Sequence, residues 1–245
     1  MGCSRGKLSC PMTRALNRRW SVATLSFAVA SSSCIVPTDA GSGMYAYLGV
    51  IPSMSQDAID VYRGIDDFGM TLNNVRVALT REDGSLAFDS TIAITPGQDS
   101  IVLELVVGMK LARERMEAIV ELRDEALVVF SGKEPVELQR GGGARATTPM
   151  IVLDYTGPGA LARVIEMNPR DTSIARKSAL TYIAAPRDAW GQAIPNVPVS
   201  WTLSDPTAGD ITTDGVFTPR GRGETWVIAR LPTGLRDSAK VVVAK

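Results

Sequence analysis

The chain of 245 residues contains no histidine. Histidine is the usual general base of enzymes and the most common ligand of transition metals in proteins. Because no cysteine is placed to act as a catalytic nucleophile either, catalytic triads of the Ser-His-Asp and Cys-His types and zinc sites are excluded. We therefore expect a protein that is not an enzyme and that binds no cofactor and no metal.

The start of the chain has no acidic residue before Asp39, and it has no long apolar run. The stretch from Trp20 to Ala30 is apolar and rich in small residues, but it is far shorter than the roughly 20 residues that a transmembrane helix needs. A basic lead, a short apolar segment and a small-residue exit are typical of a secretory signal. The basic residues of the lead are Arg5, Lys7, Arg14, Arg18 and Arg19. We predict that residues 1–33 are a cleaved signal and that the mature protein works outside the cytoplasm.

Cysteine is scarce, and two of the three cysteines, Cys3 and Cys10, would leave with the signal. Cys34 would then be the only cysteine of the mature chain, so no intramolecular disulfide can form although the compartment would permit one. The segment Ala30-Ser31-Ser32-Ser33-Cys34 resembles the lipobox of bacterial lipoproteins, with Ser31 where that family usually has Leu. The resemblance implies a lipid on Cys34 that anchors the protein to a membrane. The alternative is ordinary signal-peptidase cleavage, which leaves Cys34 as a free thiol.

The mature chain has no concentrated basic surface. Removal of the signal leaves 21 basic and 26 acidic residues, a net charge of −5. Nucleic-acid binding depends on clustered Lys and Arg that displace counterions from phosphates, so we expect no nucleic-acid partner. The most basic remaining stretch, Arg220-Gly221-Arg222, is interpreted as a solvated turn between strands.

Two further patterns could suggest chemistry but have simpler explanations. Asp66 and Asp67 are adjacent, next to Phe68-Gly69, whereas glycosidase chemistry needs two carboxylates that face each other across a cleft. We interpret the pair as part of a solvated loop that enters a strand. The run Gly141-Gly142-Gly143 lacks the Lys-Ser/Thr of a phosphate-binding loop and the helix that should follow it, so it is interpreted as a linker.

A composition break divides the mature chain into two parts. Residues 140–149 are poor in large apolar side chains, and Thr156-Gly157-Pro158-Gly159 is a second breaker. We predict a flexible tether at 34–44, an N-terminal β-sandwich at 45–155, a linker at 156–162 and a second β-sandwich at 163–245. The predicted fold is all-β, with two antiparallel immunoglobulin-like β-sandwich domains in tandem after the cleaved signal segment.

The first domain shows apolar residues at every second position, which is typical of strands with one buried face. Turn signals at Glu82-Asp83-Gly84 and Pro96-Gly97-Gln98-Asp99 separate the segments. Strands are predicted at Leu127–Phe130, at Val136–Leu138 and, as the last strand, at Met150–Tyr155. Residues 110–116 could equally begin a short helix. The other alternating sets are Val75, Val77 and Leu79, then Ile101, Leu103 and Leu105, then Met116, Ala118, Val120 and Leu122.

The second domain carries an ordered series of motifs: Asp188-Ala-Trp-Gly191, Val199-Ser-Trp201, Asp214-Gly215-Val-Phe217, Gly223-Glu-Thr-Trp-Val-Ile-Ala229 and Lys240-Val-Val-Val243. In this order and spacing they resemble bacterial immunoglobulin-like (Big) domains over about 80 residues. The resemblance implies an antiparallel β-sandwich that serves as a surface or envelope binding or spacer module without catalytic residues. Trp201 shares a strand face with Val199 and Leu203, so we predict that it lies in the core.

The motif at residues 223–229 supplies candidate contact residues. If Thr225, Val227 and Ala229 face the core, as the family pattern implies, then Trp226 and Ile228 face outward on the same strand. An exposed Trp/Ile pair is a candidate partner contact, and Trp190 in a predicted turn is another. The alternative is that the other domain or the linker covers them.

Two classes of function remain open. The first is an envelope-anchored adhesion or spacer protein, bound to a membrane through a lipid at Cys34. The second is an extracytoplasmic accessory subunit that docks on and stabilises an integral membrane protein complex. Tandem copies of the Big domain would favour adhesion, whereas the single copy and the short chain favour the accessory subunit. A third class, a carbohydrate- or calcium-binding module, rests on Asp205, Asp210 and Asp214, which turn chemistry already explains.

Overall fold

A computed structural model describes residues 44–96, 101–141 and 148–244 of the chain. The predicted signal at 1–33 and Cys34 lie outside these residues. Strands dominate the described part, together with one α-helix, α1 (Gln56–Tyr62), and a 3-10 helix (Ile65–Phe68). No helix within these three segments is long and apolar enough to cross a membrane. The strands are β1 (Tyr45–Met54), β2 (Asn74–Arg81), β3 (Leu86–Ala93), β4 (Leu103–Gly108), β5 (Arg113–Asp124), β6 (Leu127–Gln139), β7 (Met150–Tyr155), β8 (Val164–Asn168), β9 (Thr172–Ala175), β10 (Leu180–Thr181), β11 (Ile183–Arg187), β12 (Ser200–Leu203), β13 (Gly209–Ile211), β14 (Val216–Pro219), β15 (Gly223–Arg230) and β16 (Arg236–Ala244).

Strands β1 to β7 form an immunoglobulin-like β-sandwich around one apolar core. One layer has the strand order β3-β2-β5-β6 and the other has the order β4-β1-β7. The layers are joined where β6 and β7 pair at Phe130 with Tyr155 and at Ser131 with Asp154. Strands such as β4, β5 and β7 bury alternate side chains, so the sequence period of two becomes the inner face of the sandwich.

The predicted alternation of the first domain is confirmed. Val75, Val77 and Leu79 are fully buried in β2, and the chain then turns at Gly84, whose positive φ of 79° suits glycine. The backbone N–H of Arg81 donates to the carbonyl oxygen of Ser85 at 2.9 Å and closes this hairpin. The apolar sets of β4 and β5 are buried as predicted, except that Ile101 lies before β4 and is only partly buried.

Three features of the first sandwich differ from the sequence-based expectation. The pairing of β1 with β7 is parallel, as is that of β9 with β16 in the second sandwich, so the sandwiches are not purely antiparallel. Residues 127–130 and 136–138 belong to one long strand, β6. Residues 110–112 form an irregular segment and Arg113 begins β5, so the alternative of a short helix there is wrong.

The α-helix was not predicted from the sequence. Ser55 caps its N-terminus, because the side-chain oxygen accepts a hydrogen bond from the backbone N–H of Ala58 at 3.2 Å. Ala58 is buried, and the ring of Tyr62 meets the ring of Phe130 edge to face at 6.4 Å between centroids. The helix therefore packs on the first core. The 3-10 helix follows it and holds Asp66 and Asp67, which we had placed in a loop.

Strands β8 to β16 form the second immunoglobulin-like sandwich around a separate core. Its four-stranded sheet has the order β12-β15-β16-β9, and the remaining strands form the pair β8 and β11 and the sheet β10-β14-β13. Met167, Phe217, Val227 and Val241 are among the core residues. Trp201 contacts this core but is only partly buried, so the ring is less enclosed than we predicted.

The segment between the sandwiches is packed against both. The hydroxyl of Tyr155 donates to the carbonyl oxygen of Pro158 at 2.7 Å, and Gly157 lies beside the Tyr155 ring. Gly159 is in contact with Val197 of the second sandwich, where a Cβ atom would come within 2.7 Å of a Val197 methyl group. Ala162, in the predicted linker, is a member of the second core. The domain boundaries themselves stay a prediction.

Candidate functional site

Strand β15 presents two opposite faces. Thr225, Val227 and Ala229 are buried at no more than 2% exposure, as the sequence pattern predicted. Trp226 is 45% exposed and Ile228 is partly buried on the outer face. Arg230 is next in the same alternation. We call Trp226, Ile228 and Arg230 the β15 stripe. The predicted orientation of Trp226 and Ile228 is confirmed, while their role as partner contacts stays a prediction.

The neighbours of the stripe are mostly polar. Trp226 lies opposite Lys240 in β16, and Ile228 lies opposite Thr202 in β12 and Ser238 in β16. The ammonium of Lys240 forms an ion pair of 2.7 Å with Glu224. Val242, 38% exposed, is an apolar residue on the same outer face of β16. Trp226 is therefore a large exposed apolar group with Val242 as a nearby apolar neighbour on an otherwise polar sheet face.

One end of the stripe contacts the first sandwich. The guanidinium of Arg230 forms an ion pair with Asp67, and its central carbon lies 5.2 Å from the ring centroid of Phe68. Such cation-π contacts contribute about 0.5–1 kcal/mol at exposed sites. The other sandwich thus covers the Arg230 end, as our alternative interpretation allowed, whereas the Trp226 end stays open.

Trp190 is the most exposed large apolar side chain among the described residues, at 83%. It lies in an ordered turn after β11, in which a side-chain oxygen of Asp188 accepts the backbone N–H groups of Trp190 at 2.9 Å and Gln192 at 2.8 Å. Gly191 has a positive φ of 79°, which a glycine adopts without strain. Because β11 pairs with β8 and not with β15, Trp190 and the β15 stripe belong to different sheets.

Two of the candidate acids of the second sandwich, Asp205 and Asp210, have partners. Asp205 accepts hydrogen bonds from the hydroxyl of Thr207 at 2.7 Å and from its backbone N–H at 2.8 Å, and these bonds lower the pKa of its carboxyl. Asp210, in β13, accepts two hydrogen bonds of 2.8 and 2.5 Å from the guanidinium of Arg220, which lies in the predicted turn after β14. Within the described ranges, no group of three or more Asp, Glu or Cys side chains could hold a metal ion.

The sequence-based reasoning missed a buried carboxylate, Glu114, which is 7% exposed. Its oxygens accept the backbone N–H groups of Lys110 and Leu111 and the Nε of Arg81, the last at 2.9 Å. Burial opposes ionisation, but the Leu111 and Arg81 hydrogen bonds outweigh it and lower the pKa of Glu114. Arg81 also donates to the carbonyl oxygen of Gly108 at 2.9 Å. This network closes the turn between β4 and β5 beneath an open groove of about 540 Å³, and all of its polar groups are paired, so it is structural. The only sequence signal for this buried carboxylate was its position in the alternation of β5, where the other inward residues are apolar.

No protein-family model and no curated protein matches the chain. Among solved structures, it is similar to domains 4 and 5 of the S-layer protein SbsC, at 12% identity over 69% of this chain and 99% of that chain, with a TM-score of 0.31. It is also similar to invasin, a bacterial integrin-binding protein, at 16% identity, over 71% of this chain and 32% of that chain, with a TM-score of 0.26. A fimbrial assembly protein from Parabacteroides distasonis is 9% identical, over 80% and 85% of the two chains, with a TM-score of 0.31. Likenesses this low say nothing specific about function.

Proposed function

We propose that the protein is a non-catalytic, envelope-anchored binding or structural protein that contacts its partner through the β15 stripe. The observation that carries this proposal is the outward Trp226, 45% exposed on a strand whose opposite-face residues Thr225, Val227 and Ala229 are buried. A large aromatic group left in water on a rigid sheet has low conformational cost and much apolar area to bury, and tryptophan is enriched among residues that dominate binding energy.

Membrane attachment at Cys34 is the second part of the proposal. The apolar stretch before it and the lipobox-like sequence support it, and the Big-like motifs of residues 163–245 suit an envelope module. The tether from Cys34 to the start of β1 is about ten residues, which spans at most about 35 Å when extended. An anchored first sandwich would therefore stay close to the membrane surface, with the second sandwich following it.

The accessory subunit is the second candidate, and the Arg230 contact favours it. Because Arg230 joins Asp67 and Phe68, the open part of the stripe begins directly beside the junction of the two sandwiches. A partner bound there would touch a surface that depends on both sandwiches, as expected of a subunit with one fixed seat in a complex. A spacer with independent modules would not need this contact. The carbohydrate- or calcium-binding alternative has less support, because Asp205 is engaged within its own turn and Asp210 is paired with Arg220.

Gentle detergent extraction of membranes, followed by identification of co-purifying proteins, tests both classes. A stoichiometric integral membrane protein would support the accessory subunit, and recovery of the protein alone would support adhesion or spacing. Cys34→Ser tests the anchor separately. We expect the variant to leave the membrane fraction and the parent to carry an acylated N-terminus by mass spectrometry. Unchanged fractionation without acylation would contradict the anchor.

A further inference from the structure

The two outer faces of the first sandwich differ in chemistry. On the layer β3-β2-β5-β6 the outer face is covered by ion pairs: Arg76 contacts Asp89 at 2.7 Å and Glu121 at 3.3 Å, and Lys133 contacts Glu117 at 3.0 Å. The outer face of the layer β4-β1-β7 has few charges. Its outward residues are Tyr45, Tyr47, Gly49, Ile51 and Ser53 of β1, Glu104, Val106 and Gly108 of β4, and Met150, Val152 and Asp154 of β7. We call this surface the β1 face.

Several apolar side chains of the β1 face are exposed. Tyr47 is 47% exposed, Ile51 39%, Met150 62% and Val152 51%. Tyr47 lies opposite Val106 in the antiparallel pair, and Ile51 lies opposite Met150 in the parallel pair. Cross-strand neighbours project on the same side of a sheet at about 5 Å, so each pair forms an apolar contact, and the two pairs lie along β1 on either side of the buried Gly49. Apolar patches of a few hundred Å² on a monomer are often functional.

We propose that the β1 face is the interface of a homodimer, in which a second copy of the chain packs its own β1 face against it. The face carries two charged groups, the acids Glu104 and Asp154, and no cation, so it does not attract anionic lipids. Between these two acids, the apolar side chains match another apolar sheet face. A second copy supplies one of the same shape, with the self-complementarity that twofold dimers require.

The positions of the two acids are compatible with this packing. With the twofold axis parallel to β1, β4 of one copy lies over β7 of the other. Glu104 is level with Gly49, whereas Asp154 lies beyond Val152, which is level with Ser53. The acids of the two copies therefore do not meet. The same axis places both chain starts at one end, which suits two copies in one membrane. This point, and the gain in effective concentration by tethering described below, rest on the proposed anchor.

The size of the face predicts a weak dimer. Ten residues of β1 at about 3.3 Å each, and a width of two to three strands at about 4.8 Å, give roughly 400 Å² per copy. The total of about 800 Å² is at the low end for specific interfaces. We expect dissociation in the range of about 10–100 µM in solution. Tethering both copies to one surface raises their effective concentration toward about 1 mM and would populate the dimer.

Chemical cross-linking of the full chain in bacterial membranes tests this interface. Ile51→Cys lies near the proposed axis, and packed sheets are about 10 Å apart, so a bismaleimide of that span should join two copies. Leu86→Cys is the matched control, since Leu86 is 58% exposed on β3 of the opposite layer. The unsubstituted chain reports any background from Cys34. We expect at least about tenfold more dimer from Ile51→Cys than from Leu86→Cys, a ratio that corresponds to 1.4 kcal/mol.

Two charge substitutions complete the test. Met150→Lys and Val152→Lys change exposed side chains, so they should leave folding intact and should each abolish the Ile51→Cys cross-link. Sedimentation of the purified full chain should show the mass rising toward two copies between about 1 and 100 µM, and each lysine variant staying at one. Equal cross-linking at positions 51 and 86, or none at 51, would overturn the proposal. A third outcome would also overturn it: the Ile51→Cys chain gives no cross-link, the parent binds neutral phosphatidylcholine vesicles and the lysine variants do not. The occupant of the β1 face would then be lipid.

Discussion

Replacement of Trp201 by alanine should separate a core tryptophan from a surface one in the second sandwich. Trp201 alternates with Leu203 of β12 and with Val199 just before the strand, and all three contact the second core. Its ring also lies against Gly215, where a Cβ atom would come within 2.9 Å of the indole. Removal of the ring therefore leaves a cavity beneath the turn at Gly215, whose φ of 75° defines the hairpin between β13 and β14.

The expected magnitude follows from burial. Fully buried Trp→Ala substitutions cost about 3–5 kcal/mol, and because Trp201 is only partly buried we expect about 3 kcal/mol. Trp226→Ala removes a side chain that is 45% exposed and should cost under about 1 kcal/mol. Trp190→Ala, at 83% exposure, is the control and should cost under about 0.5 kcal/mol.

Hydrogen exchange of the backbone amides in β15 and β16 is the appropriate assay. It reports the opening free energy of the second core directly, even if the first sandwich unfolds separately. It also avoids tryptophan fluorescence, which these substitutions change. Equal losses for Trp201→Ala and Trp226→Ala would mean that both rings are equally buried in solution. The assignment of an outward β15 stripe would then be refuted.

Three further predictions concern single polar groups. Glu114→Gln should destabilise the first sandwich by about 3 kcal/mol at neutral pH, because it leaves Arg81 buried without its counter-charge. Since folding lowers the pKa of Glu114, the stability that its charge contributes is present above the unfolded pKa of about 4.3 and is lost as the pH falls through the lower folded pKa. The urea midpoints of parent and variant should therefore converge in acid. Tyr182→Phe should leave stability unchanged or raise it by up to about 1 kcal/mol, because the buried hydroxyl of Tyr182 has no hydrogen-bond partner among the described residues, and a loss above 1 kcal/mol by calorimetry would show that it has one. Arg230→Ala should accelerate amide exchange in the 3-10 helix that holds Asp67 while changing global stability by under about 1 kcal/mol, and unchanged exchange there would contradict the contact between the sandwiches.

Strand positions could be predicted because each strand buries one face. The alternation of Thr225, Val227 and Ala229 with Trp226 and Ile228 is visible in the sequence and matches the observed burial. Turns that require a positive φ were equally visible, as at Gly84 and Gly215. Local chemistry decides both features, so no knowledge of distant contacts was needed.

Features that depend on distant partners could not be predicted. Two strands were predicted at 127–130 and 136–138, yet β6 is continuous through Pro135, because beyond Ser131 its described partner is β5 alone and an unpaired edge tolerates proline. The ion pair of Arg230 with Asp67 joins residues 163 positions apart, and nothing local marks it. The capping serine of α1, Ser55, was a usable local signal, but the helix is only seven residues long and has no sustained apolar period.

Site-specific photocross-linking from position 226 tests the central claim most directly. Replacement of Trp226 by benzoylphenylalanine, in the full chain in living cells, keeps an aromatic group on the outer face of β15. The same replacement of the exposed Leu86 on β3 is the control. The account predicts one discrete adduct with another envelope protein from position 226, absent from position 86 and lost when Ile228→Lys adds a charge beside it. Absence of an adduct at position 226, or the same adducts from both positions, would contradict the claim that the β15 stripe is a partner surface.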